Sequence, residues 1–155
     1  MHKKFYRPLI LAVLLLLCGS AYQARAQATA RPSDSLYKRL GGYDALAAVA
    51  DDWLGRLAGN KQLGRFFQGV SKEHSARIRQ LALDQLCAAT GGPCVYVGRD
   101  MKSTHRGLGI TEDDWNLAVK LLEQSLDKFK VGQREKDELF KALGTLKSDI
   151  VDDKK

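Results

Sequence analysis

The sequence predicts an all-α domain, and three observations support this class. Four segments carry apolar residues at the three- and four-residue spacing of an amphipathic helix. Breaks rich in glycine separate these segments. Residues 94–97, the one stretch with strand-like composition, are too few to form a sheet. With 155 residues, 45% of them apolar and 28% charged, the chain has the size and composition of one compact domain.

The N-terminus is typical of an export signal. A basic start is followed by the apolar run 8–17, which has the length of a signal-peptide core and is shorter than the roughly 20 residues that span a bilayer. Ala24 and Ala26 supply the small residues that a signal peptidase reads, so we predict cleavage after Ala26, with Ala28 and Ala30 as near equivalents. We therefore predict a signal peptide at 1–26 and a periplasmic or secreted protein.

Cys18 raises an alternative location. A cysteine that closes an apolar leader can carry lipid and anchor the protein to a membrane. Lipoprotein sites typically have a small residue directly before the cysteine, but this chain has Leu17 there. Export with cleavage is the prediction, and a lipoprotein anchored through Cys18 is the alternative.

Part of the positive charge belongs to this leader. The formal net charge of the chain is +7, but residues 1–26 hold four cations and no acid, which leaves +3 on the predicted mature chain. This mild excess indicates neither nucleic acid binding nor, after cleavage, stable membrane insertion.

The domain is predicted to span 35–151, between a flexible lead-in at 27–34 and a charged tail at 152–155. A short helix at 36–40 ends at Gly41-Gly42, because glycine adopts the left-handed conformation of a helix end without steric cost. A second helix is predicted from Asp44 to Gly59-Asn60.

The middle of the chain contains a third predicted helix. Leu63, Phe66 and Phe67 form an apolar group before it, Ser71 is its predicted N-cap, and it ends near Ala89. The sequence 91–93, Gly-Gly-Pro, then breaks the helical pattern.

Three more helices are predicted after this break. A short one covers 100–105, and Thr111 with Asp114 resembles a capping box that opens a helix ending at Phe129. Gly132 separates it from one last helix, whose apolar residues extend to Ile150.

Cys87 and Cys94 remain once the leader is removed. In an oxidising compartment they can form a disulfide around the Gly-Gly-Pro break. As two small buried apolar residues they fit a helical core equally well, so both interpretations stay open. Their spacing matches no common zinc site.

One group of side chains has the chemistry of a site. Met101 and His105 are four residues apart and Leu108 follows, so the three share one face if the helix continues. A histidine on an apolar stripe is most often a hydrogen-bonded core residue, and the alternative is a ligand for a metal.

Several separated blocks resemble a known family, the group I truncated haemoglobins. The resemblance runs from about Leu36 to Val151, in family order and with near-family spacing. The blocks are Leu36-Tyr37-x-Arg39-Leu40-Gly41-Gly42, then Leu63-x-x-Phe66-Phe67-x-Gly69, and then Gly91-Gly92-Pro93-x-x-Tyr96-x-Gly98-Arg99-x-Met101-x-x-x-His105-x-Gly107-Leu108-Gly109-Ile110.

The resemblance implies a two-over-two helical sandwich around a b-type haem, with His105 as the proximal ligand of the iron. Phe67 matches the aromatic residue that packs on the porphyrin in the family. Other matching positions that line the haem are Met101, Leu108, Trp115 and Ala118. The candidates to bind the haem propionates are the cations of Arg99 and Lys102 and the hydroxyl of Tyr96.

The distal side departs from the family. Many members carry a tyrosine whose hydroxyl bonds to the gas ligand, and the matching position here is Leu54, preceded by Trp53. Among the residues that the next helix offers to the pocket, only Gln85 is able to donate from an amide. A gapless count back from Gly91-Gly92 places these residues of that helix in the pocket: Ile78, Leu81, Ala82, Gln85 and Leu86.

A count forward from Phe67 gives a helix register that differs by about three residues from the count back from Gly91-Gly92. If the register is slipped in this way, His74 would reach the iron as a sixth ligand. An exposed position near the helix start is the other interpretation of His74.

The function that follows is reversible binding of a diatomic gas, dioxygen or nitric oxide, by an exported haem protein. A pocket without a charge-assisted donor releases dioxygen quickly and favours nitric oxide or carbon monoxide. One alternative is nitric oxide dioxygenation, which needs an external electron donor because the chain has no flavin or nicotinamide fingerprint. The others are periplasmic electron transfer or sensing, and a helical binding domain that has lost the cofactor.

Overall fold

The computed structural model describes residues 34–152. The predicted signal peptide, its cleavage site, lipidation at Cys18, residues 27–33 of the lead-in and residues 153–155 of the tail lie outside the described residues. Within 34–152 there are seven α-helices, one 3₁₀ helix and no strand, so the predicted all-α class is confirmed. The α-helices are α1 (Leu36–Arg39), α2 (Gly42–Gly59), α3 (Lys72–Ala89), α4 (Met101–His105), α5 (Glu112–Lys128), α6 (Gln133–Gly144) and α7 (Lys147–Ile150), and the 3₁₀ helix (Leu63–Phe67) lies between α2 and α3.

The four long helices form two layers. Helix α2 packs against α3 and α5, and α6 packs against α3 and α5. Fully buried aliphatic side chains from these helices meet in the centre, and each leucine among them contributes about 1.5 to 3 kcal/mol relative to an exposed position. They are Ala50, Leu86, Leu122, Leu126 and Leu139.

The predicted caps hold two of these helices. The Ser71 hydroxyl accepts a hydrogen bond from the backbone N–H of His74 at 3.2 Å, which confirms Ser71 as the N-cap of α3. Thr111 and Asp114 form the predicted reciprocal capping box of α5.

The double glycine after α1 makes the first sharp turn. Gly41 and Gly42 have φ values of 95° and 79°, a region that favours glycine. The predicted end of the first helix is therefore confirmed. Helix α2 begins at Gly42, two residues before the predicted Asp44.

The single last helix predicted from the apolar spacing is wrong, because the structure has two. Helix α6 ends at Gly144 and α7 begins at Lys147. The backbone N–H of Leu146 donates to the carbonyl of Leu143 at 3.0 Å, so the chain turns with a three-residue hydrogen bond instead of extending the four-residue ladder. Glycine also weakens the helix at this point.

Asp114 connects α5 to the 3₁₀ helix. It is 1% exposed, and its carboxylate accepts hydrogen bonds from Thr111 N at 3.0 Å, Gln62 Nε2 at 2.7 Å and Arg65 Nη2 at 2.6 Å. Burial raises the pKa of Asp114, but these hydrogen bonds outweigh it and lower the pKa to about 2. An ionised carboxylate therefore holds the 3₁₀ helix against the start of α5 at neutral pH.

None of the helices between residues 34 and 152 combines the length and the apolar character needed to cross a bilayer.

Candidate functional site

An apolar cavity of about 360 Å³ lies where α3, α4, α5 and the two C-terminal helices converge. Aliphatic and aromatic side chains form most of its wall. A concave, mostly apolar cavity with a few polar groups is the usual form of a site for a small ligand or cofactor.

His105 lines this cavity and is half-buried. Its ring Nδ1 lies 2.8 Å from the carbonyl oxygen of Met101, one helical turn earlier. Because a carbonyl can only accept, Nδ1 is the donor in this contact, and in the neutral ring the lone pair is then on Nε2. An imidazole oriented in this way can bind a metal ion through Nε2.

The helix that carries His105 is a single turn of five residues, too short to be stable without outside contacts. The Asp100 carboxylate caps it by accepting from Ser103 N at 2.7 Å. The Arg99 carbonyl accepts hydrogen bonds from the Tyr96 hydroxyl at 2.7 Å and from the Thr104 hydroxyl at 3.3 Å. Helix α4 also packs against α7. The carboxylate cap, the two hydroxyl groups and the packing against α7 thus hold α4, and α4 holds the imidazole at the cavity wall.

The part of the wall contributed by α2 and α3 offers few hydrogen-bond donors. The indole N–H of Trp53 donates to the carbonyl of Ala118 at 3.0 Å, so it is already engaged. The amide of Gln85 has no hydrogen-bond partner among residues 34–152. Gln85 is therefore the one cavity-lining amide that remains able to donate.

A second cavity of about 290 Å³ adjoins the first, and the two share Ile78, Leu81 and Thr104. Three basic side chains line it, those of His74, Arg77 and Arg99; we call it the basic cavity. Within the described part of the chain neither Arg77 nor Arg99 pairs with a carboxylate, so their charges are available to an anionic group.

Most of the residues predicted from the resemblance do lie together. Those that line the apolar cavity are Trp53, Ile78, Leu81, Ala82, Gln85, Leu86, Tyr96, Met101, His105, Trp115 and Ala118.

Five predicted pocket residues lie outside the apolar cavity. Leu108 is 45% exposed, because α4 ends at His105 and Gly107 turns with φ of 80°, so the helical spacing that would align Leu108 is lost. Lys102 lies on the exposed outer face of the same short helix. Arg99 lines the basic cavity instead.

Leu54 and Phe67 are the remaining two. Leu54 follows Trp53 on α2 and is half-buried, a position about 100° further round the helix than the cavity-lining indole. Phe67 ends the 3₁₀ helix and is half-buried there.

The sequence did not predict the part of the apolar cavity wall that the C-terminal helices form. The apolar spacing of this segment predicted a core face, but spacing does not show whether that face packs on other side chains or lines a cavity. The cavity residues that were not predicted as such are Thr104, Val119, Leu122, Phe140, Leu143, Gly144, Leu146 and Ile150.

Cys87 and Cys94 are joined by a disulfide. Cys87 is fully buried on α3 and Cys94 is half-buried in the segment that leads to α4. Of the two interpretations left open by the sequence, the structure therefore has the disulfide.

A model of the bacterial-like globin family matches residues 35–152. The chain belongs to this family. The globin is 32% identical over 116 residues to the group 1 truncated hemoglobin GlbN of Mycolicibacterium paratuberculosis, which corresponds to 75% of this chain and 83% of that protein. Over 121 residues it is 22% identical to a group 1 truncated hemoglobin of Tetrahymena thermophila, covering 78% of this chain and 98% of the relative.

Solved structures have the same fold as this globin. The truncated hemoglobin of Tetrahymena pyriformis in its Fe(III) form superposes with a TM-score of 0.69 at 21% identity, covering 76% of this chain and 97% of that one. The 2/2 hemoglobin of Synechococcus sp. PCC 7002, in the cyanomet state with covalently attached heme, gives a TM-score of 0.69 at 25% identity and covers 76% and 98%. The predicted truncated globin fold is confirmed.

Membership of this family implies a haem cofactor and the binding of small gas ligands such as dioxygen. The residues of the globin fit such a group. The apolar cavity suits a porphyrin face, the Nε2 lone pair of His105 suits its iron, and the adjoining basic cavity suits its carboxylates.

Proposed function

We propose that this globin is an exported protein that binds a b-type haem through His105 and reversibly binds a diatomic gas, dioxygen or nitric oxide. The observation that carries the proposal is the His105 imidazole at the wall of the apolar cavity, with its Nδ1 proton held by the Met101 carbonyl. Ferrous haem supplies the coordination chemistry for such gases when it is bound.

The residues around the cavity have three tasks. His105 presents a neutral nitrogen ligand, and the Met101 carbonyl keeps the ring from turning. The apolar side chains of α3, α5 and α6 exclude water from the ligand side, which protects ferrous iron from oxidation.

Arg77 and Arg99 are the residues that we expect to hold the haem propionates. Both line the basic cavity next to the apolar one, and neither has a carboxylate partner in the described chain. Charge-assisted hydrogen bonds from guanidinium groups to carboxylates are strong and directional. This assignment keeps Arg99 from the sequence-based set and replaces Lys102 with Arg77.

The choice between gases depends on donors in the pocket. A charge-assisted hydrogen bond to a polarised ligand contributes about 1.5 to 3 kcal/mol, or one to two decades in release rate. The Trp53 indole is engaged with Ala118, and the amide of Gln85 alone is uncommitted. The pocket therefore favours nitric oxide or carbon monoxide over dioxygen, relative to a pocket with a tyrosine donor.

Electron transfer through a six-coordinate iron is less well supported. His74, the candidate sixth ligand, is exposed on the first turn of α3 and lines the basic cavity, apart from His105. This placement supports a single protein ligand and hence gas binding. Nitric oxide dioxygenation remains the enzymatic variant of the same site and requires an external electron donor.

Export is supported by two independent features. Residues 1–26 have the sequence of a cleavable signal, and the Cys87–Cys94 disulfide suits an oxidising compartment. Cell fractionation with N-terminal sequencing of the mature protein tests this part. A protein that stays in the cytoplasm with residues 1–26 intact contradicts it.

Absorption spectroscopy of the haem-reconstituted protein tests the function. We expect one haem per chain, a five-coordinate high-spin spectrum in the ferrous state, and reversible shifts on adding carbon monoxide or dioxygen, with fast release of dioxygen. A folded protein that stays colourless with haemin contradicts the haem assignment. A low-spin six-coordinate ferrous spectrum contradicts the single-ligand assignment and favours electron transfer.

A further inference from the structure

The segment 93–99, which leads from α3 to α4, has few attachments to the rest of the described chain. No backbone–backbone hydrogen bond involves these residues within 34–152. Val95 and Val97 are 75% and 76% exposed, so their side chains contribute little packing. Whatever fixes this segment must therefore act through its other side chains.

Cys94 is the first of these side chains. Its disulfide partner, Cys87, is 0% exposed and packs in a core cluster with Leu46 and Leu83. The turn between the two cysteines is close-packed, because a Cβ at Gly92 would lie 2.6 Å from the Cys87 sulfur. The start of the segment is thus covalently attached to a fully buried, close-packed residue of α3.

Tyr96 is the second. Its ring lines the apolar cavity and its hydroxyl donates to the Arg99 carbonyl at 2.7 Å. The Thr104 hydroxyl donates to the same carbonyl at 3.3 Å, and Thr104 directly precedes His105. A short chain of contacts therefore links the disulfide to the residue before the imidazole.

We propose that the Cys87–Cys94 disulfide and Tyr96 are positioning elements for the His105 imidazole. The proposal rests on the proposed function, in which His105 binds the haem iron. A one-turn helix cannot fix its own orientation, and partners outside the ligand itself determine how a metal-bound imidazole is oriented and how tightly it binds. The disulfide sets where segment 93–99 starts, and Tyr96 sets how it enters α4.

Two variants of the haem-loaded protein test the proposal. One replaces both cysteines (Cys87→Ala with Cys94→Ala), and the other is Tyr96→Phe, which keeps the ring and removes the hydroxyl. The measurements are the iron–imidazole stretching frequency by resonance Raman spectroscopy and the rate of haem loss to an excess of apomyoglobin. We expect both variants to shift the stretching band, with haem loss about tenfold faster without the disulfide and about threefold faster without the hydroxyl.

Lys136→Ala is the matched control. Lys136 is 8% exposed and donates to Asp127 at 2.6 Å, so its loss weakens the fold away from α4. The control should leave the stretching band unchanged. Suppose that the cysteine variant is as stable as Lys136→Ala and also keeps the parental iron–imidazole stretching band and the parental rate of haem loss. The disulfide then only stabilises the fold, and the proposal is wrong.

Tyr96→Phe decides the matter if the cysteine variant does not fold. An unchanged band and unchanged haem loss in Tyr96→Phe then overturn the proposal. Failure of the proposed function gives a different result, since the parent protein then takes up no haem or keeps it equally well after His105→Ala, and both proposals fall.

Discussion

Helix α3 and helix α4 line the same cavity but are held in place by different means. Helix α3 has 18 residues, a serine cap and a buried apolar face, and it lies between α2 and α6. Helix α4 has five residues, none of them fully buried, and depends on a carboxylate cap, two hydroxyl groups and a disulfide in the preceding segment.

The difference shows how a small domain separates packing from chemistry. A long amphipathic helix is fixed by apolar burial, which is strong but not directional. An imidazole that must face one atom needs directional contacts, and the short helix supplies them at the cost of intrinsic stability. Under the proposed function, the apolar α3 side controls which gas binds, and the polar α4 side controls how the haem is held.

The largest expected effect is on the α4 side. His105→Ala removes the proposed nitrogen ligand, so haem affinity should fall by more than about a hundredfold, beyond the effect of losing a supporting contact. Titration with haemin followed by absorption at the Soret band measures this. Lys102→Ala, on the exposed face of the same helix, is the control and should bind haem as the parent does. Equal haem affinity in the His105→Ala variant would show that another residue is the ligand.

Breaking the disulfide should remove the next largest contribution. The disulfide joins two cysteines seven residues apart in sequence and so closes a short loop. We expect its loss to lower the free energy of unfolding by about 2 to 3 kcal/mol. Urea unfolding of the Cys87→Ala, Cys94→Ala variant measures the change. Hydrogen exchange sharpens the comparison, because amides of α4 should lose protection more than those of α3. Equal loss in both helices would mean that the disulfide does not support α4 in particular.

Asp114 tests directional polar contacts away from α4. Its pKa is lowered to about 2 in the folded protein, below the value of about 4 in the unfolded chain. The ionised carboxylate therefore contributes about 2 kcal/mol above about pH 4, and this contribution is lost as the pH falls towards 2. Comparison of the parent with Asp114→Asn by urea unfolding between pH 2 and 6 isolates the effect. The difference in stability should shrink as the pH falls, and a difference that stays constant over this range contradicts the assignment.

The smallest expected effect concerns the α3 side. Gln85→Leu removes the one uncommitted amide of the cavity wall, and a neutral hydrogen bond of about 0.5 to 1.5 kcal/mol corresponds to dioxygen release about two to ten times faster. Flash photolysis or stopped-flow mixing measures the rate. Gln85→Met, which keeps the size but loses the donor, should behave like Gln85→Leu. An unchanged rate in both variants would show that Gln85 does not reach the ligand and that the pocket has no protein donor.

Much of the site was predictable where it follows from local patterns. The caps at Ser71 and Thr111 and the glycine turn at 41–42 depend on nearest neighbours along the chain, and all three were found. Eleven predicted pocket residues lie together because helical spacing and family motifs fix which face they occupy. Leu108 was misplaced because the spacing argument needed a helix that continues to Leu108, whereas the helix ends at His105.

The sequence by itself determined the all-α class, identified His105 as the candidate iron ligand and identified the two cysteines as a potential pair. Each of these depends on residue type and short-range spacing. Tertiary structure alone decided that Leu146 and Ile150 close the cavity, that the Trp53 indole is engaged with Ala118, and that Arg77 and Arg99 share one basic cavity. These contacts join residues far apart in the chain, and such pairings depend on how helices pack in three dimensions, which no local pattern encodes.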